Sequence, residues 1–198
     1  MNTAAAIPAH LVAATGISKS YSNVRALAPL DLTIREGERV ALAGPSGSGK
    51  TTLLDLLGGI VQPDEGEVVI DGRPLRRMGP GKDLAGLVGL VHQNYDLVPH
   101  LPVIHNVLAG RLGQWGLLRS AISLFWPRDR HLAEQVLAEL GLADKALERT
   151  SHLSGGEQQR VAIARLMVQS PRIVLADEPV SSLDPRLSEE MLRLLTGI

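Results

Sequence analysis

The sequence predicts an α/β fold with a mainly parallel core sheet. Two apolar segments carry this prediction: Val40–Ala43 leads into a glycine-rich turn, and Ile173–Ala176 leads into two carboxylates. Short, unbroken apolar runs are typical of strands that are buried on both faces of a parallel sheet. In open α/β sheets, ligands bind at the carboxyl ends of the strands, so the residues that follow these two segments are the first candidates for a site.

The first candidate is a glycine-rich segment that fits the phosphate-binding pattern G-x-x-x-x-G-K-[ST] completely. Its residues are Gly44, Pro45, Ser46, Gly47, Ser48, Gly49, Lys50 and Thr51, with Thr52 opening the helical pattern Thr52–Leu57. Glycines let backbone N–H groups turn toward a phosphate, and a helix N-terminus adds a positive dipole end. We expect Lys50 to reach the β- and γ-phosphates and Thr51 to ligate Mg²⁺. A plain strand-to-helix turn would not require the Lys-Thr pair.

The second candidate is the acidic pair Asp177 and Glu178 at the end of the apolar run Ile173–Ala176. Asp177 suits a Mg²⁺ ligand, and Glu178 points in a different direction because side chains alternate along a strand. Glu178 could therefore hold and polarise an attacking water. An ordinary strand that ends in acidic residues is the alternative.

A third segment, Leu153–Arg160, predicts the start of a helix. Ser154 is a favoured N-cap residue, Gly155 and Gly156 leave their N–H groups uncovered, and Glu157–Met167 continues as a good helix. Such an end can bind an anion, although a capped helix after a loop is the simpler interpretation.

Together these segments resemble the nucleotide-binding subunit of an ATP-binding-cassette (ABC) transporter, over nearly the whole chain. The resemblance implies a P-loop NTPase fold with an antiparallel β subdomain and an inserted helical subdomain. It places the core in residues 1–94 and 155–198 and the helical subdomain in residues 95–154. The strand-like segments Leu11–Gly16, Leu30–Arg35 and Glu67–Asp71 would form the antiparallel part, and Leu87–His92 a further core strand.

The resemblance also implies roles for single residues, with ATP and Mg²⁺ as cofactors. Ser154, Gly155, Gly156 and Glu157 would form the signature that binds the γ-phosphate of ATP held by the opposite subunit. Glu157 stands where many relatives have Gln, a variant that the family also uses.

Four other positions match the family pattern, one of them Gly37-Glu38 in the turn before Val40–Ala43. Tyr21 would stack on the adenine, and Gln93 would touch Mg²⁺ or its water. Asp184, in Ser182-Leu183-Asp184, would belong to the D-loop that crosses the dimer interface. Tyr21 as a half-buried strand residue and Gln93 as a polar strand end remain the alternatives.

The helical pattern from Val103 to Glu148, clearest at Arg128–Leu140, is expected to carry the substrate class. Its segment Asn106–Lys145 resembles the ATPases of phosphonate importers. Four of the five aromatic residues fall nearby and could face a partner or pack internally: Tyr95, Trp115, Phe125 and Trp126. Import of phosphate or amino acids, lipoprotein release, and a nucleotide-binding module without turnover are the alternatives.

The resemblance implies a second copy of the chain, membrane permease subunits and, indirectly, a substrate-binding protein as partners. The 20 Lys and Arg balance 21 Asp and Glu, so bulk affinity for nucleic acid is not expected. With no cysteine and six scattered histidines, Mg²⁺ is the one metal that we expect. Neither a signal peptide nor a spanning segment is recognised, which indicates a peripheral location on the cytoplasmic side of the cell membrane.

The last expectation concerns the end of the sequence. In the family a switch histidine follows the catalytic glutamate beyond another strand, whereas no histidine follows Glu178 here. The pattern predicts a last helix over Arg186–Leu195, and the resemblance implies that a C-terminal part of the cassette is missing. That part includes the strand between Val40–Ala43 and Ile173–Ala176, so we expect this chain alone to be unstable and weakly active.

Overall fold

A computed structural model describes most of the chain, in two compact units, Met1–Gly79 and Pro80–Ile198. The described residues are 10–79, 82–92, 94–114 and 129–178, together with Glu189 and Arg193. Several predictions concern residues outside these ranges: Gln93, Trp115, Phe125, Trp126, the segment Ser182-Leu183-Asp184, and the last helix Arg186–Leu195 apart from Glu189 and Arg193.

The first unit contains an antiparallel sheet of four strands in the order β2-β1-β3-β4. The strands are β1 (His10–Tyr21), β2 (Val24–Arg35), β3 (Glu65–Ile70) and β4 (Arg73–Pro74). The three strands predicted from sequence are present, and β1 and β2 are much longer than predicted. They lengthen because they pair as a hairpin whose ladder runs to Tyr21 opposite Val24.

The core of this sheet lies along β1 and β3. Val12 and Ile17 of β1 and Val68 and Ile70 of β3 are buried, with Val12 opposite Ile70. Burial of such side chains contributes about 1.5 to 3 kcal/mol each. The sheet is therefore fixed at its centre, and the distal end of β1 extends beyond β3.

The prediction of a strand at Val40–Ala43 is wrong. No strand is formed by these residues, and the side chains of Val40 and Leu42 are 47% and 39% exposed. A strand requires a neighbouring backbone to receive its N–H and C=O groups, and the described strands of this unit offer none to the segment. Helix α1 (Lys50–Leu57) follows, two residues longer than predicted, and buries Leu53 and Leu56.

The second unit pairs two strands in parallel, β5 (Val88–Val91) and β6 (Ile173–Ala176). Val88 lies opposite Ile173 and Val91 opposite Ala176. This confirms the strands predicted at Leu87–His92 and Ile173–Ala176 and the parallel character predicted for the core sheet, and it shows in addition that the two strands are neighbours.

Four helices complete the described part of this unit: α2 (Lys82–Ala85), α3 (Val103–Leu108), α4 (Arg130–Glu139) and α5 (Gly155–Gln169). The helical pattern predicted over Val103–Glu148 is broken: a 3₁₀ stretch occupies Ala109–Gln114, and α4 ends before Gly141, which has a φ of 67°. A left-handed residue cannot continue a right-handed helix, so the chain turns there.

Helix α5 belongs to two packing layers at once. Val161, Ile163 and Val168 lie in the helical core with α3 and α4, whereas Ala162 and Leu166 pack with Val91 of β5. Helix α5 is thus held by both the helices and the parallel strands. No helix in the described ranges combines the length and the apolar character needed to cross a bilayer.

Candidate nucleotide-binding site

The glycine-rich segment forms a tight loop that ends in α1. The Ser48 N–H donates to the Pro45 carbonyl at 3.2 Å, and the Leu53 N–H donates to the Gly49 carbonyl at 2.9 Å, which starts the helix. Gly49 has a φ of 90°, and a Cβ built on it would lie 2.5 Å from the carbonyl oxygen of Ala26. Only glycine fits this position, since any side chain would be both strained and in collision.

Lys50 folds back over this loop. Its Nζ donates to the carbonyl oxygens of Gly44 at 2.9 Å and Pro45 at 3.0 Å. Lys50 is half-buried, and the hydrogen-bond partners of its ammonium are neutral carbonyls of the loop itself. A phosphate is a stronger acceptor than a neutral carbonyl for this cation, and the start of α1 adds its dipole. The arrangement is therefore suited to an anionic group.

Tyr21 ends β1 and leaves 45% of its surface exposed. The Nζ of Lys19 lies 5.7 Å from the centre of its ring. An exposed ring at a strand end can stack on a flat partner such as a nucleobase.

The two carboxylates lie at the carboxyl end of β6. The Asp177 N–H donates to the Val91 carbonyl at 2.9 Å, which extends the ladder by one bond. Glu178 comes next, with an exposed side chain and a φ of 49°. Left-handed residues other than glycine are uncommon and concentrate at functional sites. The structure thus turns Glu178 out of the strand directly after Asp177.

The signature segment forms a complete capping box at the start of α5. The Ser154 N–H and hydroxyl donate to Oε2 of Glu157 at 2.8 Å and 2.7 Å, and the Glu157 N–H donates to the Ser154 Oγ at 3.4 Å. The two bonds from Ser154 hold the pKa of the Glu157 carboxyl below its ordinary value. A Cβ built on Gly155 meets nothing within 4 Å, so the approach to this helix end is open.

Two residues that the sequence did not indicate hold the turn after β5 and the segment that follows it. Arg165 donates from Nη1 to the Asp96 carbonyl at 2.8 Å and from Nη2 to the Tyr95 carbonyl at 2.7 Å. Burial lowers the pKa of this guanidinium. Asn106, buried in the core, accepts from the Val98 N–H at 2.7 Å. A buried polar residue in an apolar helix face is the one signal that could have indicated Asn106.

The predicted site residues that the structure describes therefore fall into two sets, one in each unit. Residues 44–52 and Tyr21 belong to the first unit, and the acidic pair and the signature segment belong to the second. Gln93 and Asp184 lie outside the described residues, and their predicted roles stay predictions.

The oxygen donors present fit Mg²⁺. The Thr51 hydroxyl and the Asp177 carboxylate are hard ligands of the kind that this ion prefers. In the part of the chain that is described, no three His, Cys, Asp or Glu residues cluster as a protein cage would require. A magnesium ion bound through one or two protein oxygens takes its other ligands from nucleotide phosphates and water, so each of these donors, taken by itself in its own unit, is of a type that suits an ion arriving with a nucleotide.

A glycine-rich loop that holds a lysine at the start of a helix is typical of P-loop nucleotide-binding proteins. This chain has such a loop and belongs to that class. The profile of the family described as "ABC transporter" matches residues 27–181, and the chain belongs to this family. Its fold agrees: a dimeric ATP-binding cassette solved in a post-hydrolysis state with ADP and Pi matches with a TM-score of 0.79 and 33% identity. That match covers 93% of this chain and 81% of the other. The chain thus has the fold of an ABC ATPase.

Curated relatives are similar over most of the chain. The phosphonates import ATP-binding protein of Pseudomonas putida is 48% identical over 182 residues, which cover 91% of this chain and 68% of the relative. The protein of the same name from Anaeromyxobacter dehalogenans is also 48% identical, over 91% of this chain and 36% of the relative. The chain therefore spans about two thirds of the length of one relative and about a third of the other.

Proposed function

We propose that this chain binds Mg·ATP and hydrolyses it as the ATP-binding subunit of an ABC importer whose solute is a phosphonate. The observation that carries the proposal is the position of Lys50, whose ammonium rests on two carbonyls inside its own loop. The solute class rests on the 48% identity to proteins named as phosphonate import ATP-binding proteins.

Binding begins at this loop. When ATP enters, Lys50 exchanges the carbonyls of Gly44 and Pro45 for the β- and γ-phosphates, and the loop N–H groups complete the cradle. Tyr21 stacks on the adenine, and the Thr51 hydroxyl ligates Mg²⁺. The ion neutralises charge on the phosphates when it is bound.

Hydrolysis depends on the acidic pair and on Gln93. Asp177 and Gln93 hold the metal or its water, and Glu178 orients the attacking water and accepts its proton. The left-handed backbone of Glu178, directly after the end of β6, supports this assignment, because such residues other than glycine concentrate at functional sites.

A second copy of the chain completes the site. Ser154, Gly155, Gly156 and Glu157 of one subunit contact the γ-phosphate bound by the other, and Asp184 acts across the same interface. The Ser154 hydroxyl donates to Glu157, so its hydrogen must turn from that carboxylate to reach a phosphate. Binding of the opposite nucleotide therefore competes with this one bond, and the two bonds of the capping box do not use the hydroxyl hydrogen.

The chain acts with permease subunits and, through them, a substrate-binding protein, at the cytoplasmic side of the membrane. Deletion of its gene tests the solute class. Cells should lose growth on a phosphonate as sole phosphorus source and keep growth on phosphate; a plasmid copy should restore it, and a Lys50→Ala copy should not. Growth of the deletion strain on both sources would contradict the phosphonate assignment.

A nucleotide-binding module without turnover is the second candidate. In the described ranges Val40–Ala43 forms no strand and the side chains of Val40 and Leu42 are exposed, so none of the described strands holds the segment that leads into the phosphate-binding loop, which favours this candidate. Turnover measured with the permease separates the two: ATP binding with no phosphate release would support the module, and phosphate release would support the importer.

A further inference from the structure

The end of β1 that carries Tyr21 extends past the strand that supports it. β3 begins at Glu65, which lies opposite Ser18, and this is the last residue of β1 that β3 pairs. The following residues of β1 have β2 on one side only. Strand ends with one neighbour are less well held than a paired centre, so the position of Tyr21 requires another support.

Asp64 supplies that support. Its backbone N–H donates to the Ser18 carbonyl at 2.9 Å, and its Oδ2 accepts from the Ser20 N–H at 2.7 Å. The side chain thereby replaces the ladder bond that β3 does not provide. Its other oxygen, Oδ1, accepts from Lys19 Nζ at 2.7 Å. One carboxylate therefore binds two consecutive residues just before Tyr21.

Lys19 in turn covers the ring. Its side chain is 17% exposed, so the stem is packed and the ammonium is fixed by Asp64. The ammonium lies 5.7 Å from the ring centre of Tyr21, within the range of a cation–π contact. A ring with a cation over one face offers its other face to a flat partner.

We propose that Asp64 and Lys19 are positioning residues for the nucleobase: they fix Tyr21 so that a purine stacks on the ring face opposite the Lys19 ammonium. This rests on the proposed binding of ATP. Lys19 acts through Tyr21, and its charge is already compensated by Asp64, so it supports the base and leaves the triphosphate to Lys50.

Calorimetric titration of the whole chain with Mg·ATP and with magnesium tripolyphosphate tests the proposal, because tripolyphosphate has no base. Lys19→Met keeps the packed stem and removes the cation. We expect it to weaken ATP binding about two- to five-fold, as loss of an exposed cation–π contact would, and to leave tripolyphosphate binding unchanged. Asp64→Asn should act in the same direction. Arg76→Met, which removes an ion pair to Glu67 in the same sheet, is the matched control and should change neither affinity.

A double-mutant cycle with Tyr21→Leu separates positioning from a general structural role. If Lys19 acts through the ring, Lys19→Met should have no further effect on ATP affinity once Tyr21 is leucine. An equal loss in both backgrounds, or an equal loss for ATP and tripolyphosphate, would overturn the proposal. A wild-type chain that binds neither ligand would refute the proposed function itself. If the wild-type chain binds tripolyphosphate as tightly as ATP, base stacking on Tyr21 would be refuted, and the phosphate-binding role of the loop would not.

Discussion

The Nη2 of Arg165 donates to the carbonyl oxygen of Tyr95 at 2.7 Å, although the two residues are far apart in the sequence. Arg165 belongs to α5, and Tyr95 belongs to the turn after β5. Both Tyr95 and Asp96 have positive φ angles, of 59° and 46°, and both carbonyls point to the guanidinium. The arginine therefore stabilises a turn that the backbone alone disfavours.

Replacement of Arg165 by methionine should cost about 2 to 3 kcal/mol of unfolding free energy, because two charge-assisted hydrogen bonds are lost and two carbonyls lose their donor. Urea denaturation measures the change. Arg130→Met is the control, since Arg130 pairs with Glu134 on the exposed side of α4 and should cost less than about 1 kcal/mol. Equal costs for the two variants would contradict a stabilising role for Arg165.

Gly49→Ala should lower the unfolding free energy by about 2 kcal/mol or more and weaken ATP binding. The new Cβ would meet the Ala26 carbonyl at 2.5 Å and would also have to adopt a φ of 90°. Gly72→Ala separates these causes, since Gly72 has a φ of 71° and no atom within 4 Å of a built Cβ. That variant should lose only about 1 kcal/mol and keep its ATP affinity. Thermal melting and titration provide both measurements.

The capping box predicts a pH dependence for Glu157→Gln. The pKa of Glu157 is lowered in the folded chain, so its carboxylate adds stability above the unfolded pKa of about 4.3 and loses it as the pH falls through the folded value. The wild type should melt above Glu157→Gln at pH 7, and the difference should shrink as the pH falls below the unfolded pKa and through the lower, folded pKa of Glu157. A melting difference that stays constant with pH would show that the charge of Glu157 contributes nothing.

Glu178→Gln should keep ATP affinity and slow phosphate release, because an amide can still accept a hydrogen bond from water but cannot take its proton. ATP-bound dimers should then accumulate on a sizing column. Asp144→Asn, a change of the same kind on an unrelated surface turn, should leave both measurements unchanged. Normal turnover in Glu178→Gln would show that another group is the base.

Features with a local cause were predictable from sequence. The loop at residues 44–51 and the capped start of α5 follow from glycine, serine and charge at fixed spacing, and β6 follows from an unbroken apolar run. The strand predicted at Val40–Ala43 failed because a strand depends on a partner that is distant in the sequence. Other features escaped prediction for the same reason. The Asp64 side chain replaces a missing ladder bond of β1, and Arg165 binds a turn that is distant from it in the sequence. No local sequence pattern predicts such contacts.

The most direct test of the central claim, that this chain is an ATP-binding cassette, is calorimetric titration of the wild type and Lys50→Ala with Mg·ATP. Lys50 is the cation of the loop, and its ammonium donates to the carbonyl oxygens of Gly44 and Pro45. We expect saturable binding to the wild type and none to Lys50→Ala, with Arg76→Met as a folded control that binds normally. Undiminished ATP affinity in Lys50→Ala, with both variants folded, would contradict the assignment.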